Sequence, residues 1–124
     1  MASFGSSVTG NFQSIGKNLT ADTTTTIFTV PTGYNAFVYM VFVANAGGSS
    51  ASYSAAWHDG SVITFQGTKN LGAGEYDIFG GAAGGLLVME EGDYLTVTTS
   101  AGSTFTTIVT LELIRHASSR YNIA

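Results

Sequence analysis

Charge is what this chain has least of. Only 10% of its 124 residues are Asp, Glu, Lys or Arg, against about 25% in an ordinary soluble domain. A domain that works alone keeps a well-charged surface. A surface left to Ser, Thr, Gly and Ala, with apolar residues among them, points to one largely covered by partners in its working state. Cysteine is absent, which excludes a disulfide framework and a thiolate metal centre and fits assembly in a reducing compartment. Four basic residues stand against eight acidic ones, a net charge of −4, so the basic footprint of a nucleic-acid binder is missing. Long apolar runs are missing too. The longest, residues 36–44, is far short of the roughly 20 residues a membrane helix needs. The opening MASFG has no basic segment leading into an apolar one, so no secretory signal is expected, and Asn18-Leu19-Thr20 is expected to be a silent sequon.

What is present is the vocabulary of β-structure. Short runs rich in Thr, Val, Phe and Tyr alternate with clusters of Gly, Ser, Asn and Asp from Ile27 to Ile114, the pattern of a sandwich or barrel. The spacing predicts strands over 24–30, 34–44, 52–58, 62–66, 76–79, 86–89, 94–99 and 105–113. Pro31-Thr32-Gly33 turns the chain, Asp59-Gly60 makes a hairpin, and 68–74 is read as a polar connection. Eight antiparallel strands in two sheets predict an all-β sandwich of jelly-roll type. Leu95, Val97 and Thr99 face inward on one strand; Phe105, Thr107, Val109, Leu111 and Leu113 face inward on the last. The strand over 34–44 is apolar on both faces, with Phe37, Tyr39, Val41 and Val43 on one and Val38, Met40, Phe42 and Ala44 on the other. The strand is therefore expected either to be covered on both faces or to have its outer face in an interface.

The organisation expected is an N-terminal arm over 1–22, a sandwich over 23–115 and a tail over 116–124. Phe4, Val8 and Phe12 share parity on the arm, which completes the domain's own sheet or lies on a neighbour. Deletion of residues 1–16 is expected to leave the sandwich folded while weakening assembly. The interface residues predicted are Phe4, Val8, Phe12, Met40 and Phe42, with Tyr121 and Ile123 as anchors in the tail.

Residues that carry chemistry are few. His58 and Asp59 are adjacent at a strand end, so their side chains diverge; Trp57 beside them belongs to the core. Glu90, Glu91 and Asp93 surround a glycine turn without the spacing of a calcium loop. No Ser or Thr has an organised base, and the run Phe79–Gly85 lacks the ending of a phosphate loop. The sequence predicts no enzyme, no metal and no cofactor. Tyr34, Tyr53, Tyr76, Tyr94 and Tyr121 are candidates for exposed aromatics that stack on sugars or partners.

Two stretches, TIFTVPTGYNAFVYMVFVAN and GGLLVMEEGDYLTVTTSAG, resemble the small virion proteins of tailed bacteriophages. In these a VP-x-G turn precedes a long apolar strand ending in Ala-Asn, and a Gly-Asp turn precedes a Leu-x-Val strand. The AAWHDG hairpin is similar to one found between them. The resemblance covers residues 26–115, and no catalytic residue comes with it. It implies a head decoration (cement) protein: a β-sandwich, often trimeric, bound to the major capsid protein or another virion protein on a particle assembled in the host cytoplasm. The competing expectation is a tail- or fibre-associated module that binds a receptor or carbohydrate; a hydrolase on the same scaffold is the third.

Overall fold

The computed structural model describes residues 10–20, 23–81 and 85–116. They form nine strands: β1 (Gly10–Leu19), β2 (Thr24–Thr29), β3 (Tyr34–Asn45), β4 (Ala51–His58), β5 (Val62–Leu71), β6 (Tyr76–Gly80), β7 (Leu87–Met89), β8 (Tyr94–Thr99) and β9 (Phe105–Arg115). The first sheet runs β1-β9-β3-β6, with β7 also on β3; the second runs β2-β8-β4-β5. Every pairing is antiparallel. β6 pairs with Met40–Ala44 and β7 with Ala36–Val38, so together they fill one strand's place beside β3. With β6 and β7 counted as one, the chain fills eight positions in the order of a jelly roll. The expected two-sheet antiparallel sandwich is the fold observed.

Alternation explains the core. Val97 and Leu95 of β8, and Phe105, Val109, Leu111 and Leu113 of β9, point inward and are buried, as are Tyr53 and Ala55 of β4. Thr107 is buried among them and donates to the Lys17 carbonyl. Asn45, at the end of β3, is buried with its amide fully used. Its Nδ2 donates to the carbonyls of Ser49 and Leu71, and its Oδ1 accepts from the Gly47 N–H. One side chain thus ties the end of β3 to the next loop and to the end of β5. A buried polar group is tolerated only when bonded in this way.

Three features depart from the sequence reading. The faces of β3 are not constant: the register with β9 shifts between Val38 and Met40, a β-bulge at Tyr39. An extra residue reverses the parity beyond it. The buried set is therefore Ala36, Val38, Val41, Val43 and Asn45, whereas strict alternation put Val41 and Val43 opposite Val38. β5 runs on through 68–71, where a connection was expected. A register shift on β4 between Tyr53 and Ala55 lets Lys69–Leu71 pair with Ala51–Tyr53.

The third departure is at the N-terminus. Residues 10–19, assigned to the arm, form β1 and pair with β9 along their whole length, from Gly10↔Ile114 to Leu19↔Phe105. Leu19 is in the core and Ile15 packs against it. Of the two roles the sequence left open for this stretch, completing the domain's own sheet is the one seen. Residues 1–9 and 117–124 lie outside the described residues, and with them Phe4, Val8, Tyr121 and Ile123.

Candidate interaction surface

The side chains that leave the first sheet outward are set by its register. Across the centre, Gly16 faces Ile108, Ile108 faces Phe42, and Phe42 faces Ile78. The row on one side carries Ala44 and Tyr76; the row at the far end carries Phe12, Glu112, Phe37 and Val88. Because the bulge turns Tyr39 and Met40 to the same side, Phe37 and Tyr39 join Met40 and Phe42 on one face instead of opposing them. The rings lie against one another: Phe12 on Tyr39 at 5.5 Å between centroids, Phe37 on Tyr39 at 4.9 Å, and Phe42 on Tyr76 at 5.5 Å. Phe12 is 66% exposed, Tyr76 58%, Val88 54% and Ile78 50%. Large apolar side chains left this bare in one contiguous field mark a contact surface.

Glu112 is the one charged side chain that the register places on this face, and the Tyr39 hydroxyl donates to it at 2.8 Å. That hydrogen bond, then partial burial and the negative charge, push the Tyr39 phenol above its ordinary value. The outer face of the second sheet differs in kind. It presents Thr24 and Thr26 of β2 beside Thr98 and Thr96 of β8, with Thr24 and Thr98 joined hydroxyl to hydroxyl at 2.7 Å.

The predicted residues fall out as follows. Phe12, Met40 and Phe42 come together on the apolar face. Tyr76 is exposed there as expected, and Tyr94 is exposed on the other sheet, but Tyr53 is buried, because inward alternation on β4 places it in the core. Sequence reasoning missed Ile78 and Val88. Ile78 shares parity with Tyr76 on β6, a signal hidden by the strand's brevity.

His58 and Asp59 do not converge. The His58 ring stacks on Tyr94 and its Nε2 bonds the Thr96 hydroxyl at 2.9 Å, while Asp59 accepts from Ser61. Asp93 accepts from the Glu90 N–H and from Trp57 Nε1, and Glu91 accepts from the Gly33 N–H. These carboxylates order turns. Among the described residues, no three His, Cys, Asp or Glu side chains stand together as metal ligands.

The glycine run after Phe79 also has a structural use. Gly80 has a φ of +75°, and a Cβ there would lie 2.5 Å from the Tyr39 carbonyl oxygen. Only glycine fits the close passage of β6 across the bulge.

One polar cluster joins the sheets. The Tyr53 hydroxyl donates to Asp77 Oδ2 at 2.5 Å, and Lys69 Nζ to Oδ1 at 2.9 Å. Burial, then the bond to Asp77 and its charge, raise the Tyr53 phenol far above its ordinary value. Burial pushes the Asp77 carboxyl up, but the hydrogen bonds from Tyr53 and Lys69 and the lysine charge outweigh it and hold the carboxyl below its usual value. An open groove of about 420 Å³ runs beside this cluster, lined by Lys69, Asn70, Glu75 and Tyr76 among others. Glu75 in it is already engaged by the Gly72 N–H at 2.6 Å.

A pH dependence follows. The folded chain keeps Asp77 ionised to lower pH than the unfolded chain does. Its contribution is complete above about pH 4 and is lost as the pH falls through the folded value. For Tyr53 the sense is reversed: the contribution is complete below about pH 10 and fades as the pH rises beyond it. Tyr53→Phe is expected to cost about 1–2 kcal/mol at neutral pH and to move the acid limb of the stability profile to higher pH. Urea unfolding across pH checks both; an unmoved acid limb would remove Tyr53 from the account of Asp77.

No protein-family model matches the chain, and no curated protein matches it in sequence. Solved structures match its fold. A structure described as "Bacillus endospore appendages form a novel family of disulfide-linked pili" superimposes with a TM-score of 0.55 at 13% identity, over 88% of this chain and 90% of that one. A structure of infectious bursal disease virus, Gx strain, gives a TM-score of 0.49 at 12% identity, over 87% of this chain and 33% of that one. At such identities the likeness to the pilus subunit is one of fold.

Proposed function

We propose that this protein is a structural component of a tailed-phage particle, a head decoration protein that self-associates and stabilises the shell through protein–protein contacts without turnover. The observation that carries the reading is the apolar outer face of the β1-β9-β3-β6 sheet, bare of charge except for Glu112. The jelly roll supports it, since the same fold serves in a pilus subunit, and so does the resemblance of residues 26–115 to phage virion proteins. Such a protein works by number: each contact contributes modestly, and a symmetric array multiplies it. The matched pili are described as disulfide-linked; with no cysteine, this chain cannot be held in that way.

The test is mass spectrometry and immunogold labelling of particles banded by density. A fixed copy number on the head supports decoration. Label on the tail favours the receptor- or carbohydrate-binding reading, which the groove beside Tyr76 supports. Absence from particles overturns both.

A further inference from the structure

We infer that the outer face of the β1-β9-β3-β6 sheet is a two-fold contact with a second copy of this chain; the inference rests on the self-associating role proposed above and names the partner at that surface. Phe12, Tyr76, Ile78 and Val88 each leave half or more of their surface bare. With the part-exposed Phe37, Tyr39, Met40, Phe42 and Ile108 they offer roughly 500–600 Å² of apolar surface, taking about 150–250 Å² for a large side chain. Two copies face to face bury about 1,000–1,200 Å², the lower bound of a specific interface. The pair is therefore weak and concentration-dependent.

Among the described residues, the other broad surface that could cover this face is the outer face of the second sheet. It presents the hydroxyls of Thr24, Thr26 and Thr98, with His58, Tyr94 and Val62 at one end. Pressing it onto Phe42 and Ile78 would strip hydroxyls of water without giving them partners. Apolar on apolar strips fewer, and the polar groups on this face enter it already paired: Ser14 with Thr110, Asn18 with Thr106 and Glu112 with Tyr39.

The two sides of this face also differ in relief. On the β1 side the outward positions after Phe12 are Ser14, Gly16 and Asn18, of which Ser14 and Gly16 stand low. On the β6 side Tyr76 and Ile78 stand high. A two-fold axis lying between the sheets and along the strands sets the high side of each copy over the low side of the other. It also sets Phe12 of each over the β7 side of its partner. Stacked sheets with nearly aligned strands are an ordinary packing.

The experiment is sedimentation velocity of the full chain from low to high micromolar concentration, with two variants. The wild type is expected to pass from one chain to two. Ile78→Lys, an exposed change on an edge strand, is expected to keep the wild-type melting temperature and to raise the dimer dissociation constant at least about thirtyfold, the equivalent of ~2 kcal/mol. Gly16→Cys with Ile78→Cys, two positions of one cross-strand row, reports orientation without background, since no other cysteine exists. Within one copy the two positions lie three strand spacings apart, about 14 Å, too far for a disulfide. Between copies they meet, and mild oxidation is expected to give a covalent dimer. A mass of one chain at every concentration, a mass of three, or a dimer indifferent to Ile78→Lys would overturn the inference and leave the particle reading standing. A dimer sensitive to Ile78→Lys in a protein absent from particles would do the reverse.

Discussion

Deletion of residues 1–16 should abolish cooperative folding, whereas deletion of residues 1–9 should leave it intact. The longer deletion removes β1 except Lys17–Leu19 and with it the pairs from Gly10↔Ile114 to Gly16↔Ile108. Ile15 leaves the core's margin. β9 then becomes an edge: it carries Val109, Leu111 and Leu113 inward, and its alternate positions from Phe105 to Leu113 are buried. A long apolar edge with a free ladder is an aggregation template. Several backbone hydrogen bonds at about 0.5–1.5 kcal/mol each, together with lost apolar cover, approach the whole stability of a small domain, about 5–15 kcal/mol. The shorter deletion breaks none of these pairs. Thermal melting followed by circular dichroism distinguishes them. A sharp transition near the wild-type temperature for the longer deletion would make β1 an accessory, as the sequence pattern alone suggested.

That pattern misled for a physical reason. The inward positions of β1 are Asn11, Gln13, Ile15, Lys17 and Leu19, only two of the five apolar, and Lys17 reaches the Thr26 carbonyl at the rim. An edge strand with one half-buried face leaves a weak period. β8 and β9, central in their sheets, write theirs plainly, and their inward sets were legible residue by residue. The Asp59-Gly60 hairpin was legible because its turn chemistry is local: Gly60 has a φ of +104°. The bulge at Tyr39 was not, because both faces of β3 are apolar and no change of polarity marks the crossing of parity. Part of the candidate surface was still found. Met40 and Phe42 were named as outward and Phe12 as a contact residue, while Phe37, Tyr39, Ile78 and Val88 joined them only through the bulge and the non-local pairing of β6 and β7 with β3. Sparse charge announced that some surface is covered; register decided which.

Core and surface are separable by mutation, and Phe105 shows how. It opens β9 at the point where that strand pairs with the end of β1 at Leu19 and the end of β3 at Asn45. Its side chain is wholly buried, and its ring meets Tyr53 from the opposite sheet at 5.8 Å. Phe105→Ala is expected to cost about 3–5 kcal/mol, the transfer loss plus a cavity that β-sheet walls on both sides cannot close. Against a stability of about 5–15 kcal/mol, that brings the chain near the edge of folding. Phe105→Leu keeps most of the volume and should cost less than about 1.5 kcal/mol. Urea unfolding of the three proteins gives the comparison; a cost below about 1.5 kcal/mol for the alanine variant would mean the two sheets do not lock at this point. The loss should also reach the polar cluster, because the ring that backs Tyr53 holds its hydroxyl toward Asp77, so the alanine variant should share the shifted acid limb of Tyr53→Phe. The outer face of the first sheet is untouched by the change. The fraction of Phe105→Ala that remains folded should therefore dimerise as the wild type does, while Ile78→Lys keeps its stability and loses the dimer. Those opposite signatures assign the interior of the sandwich to folding and the outer face of β1, β9, β3 and β6 to assembly.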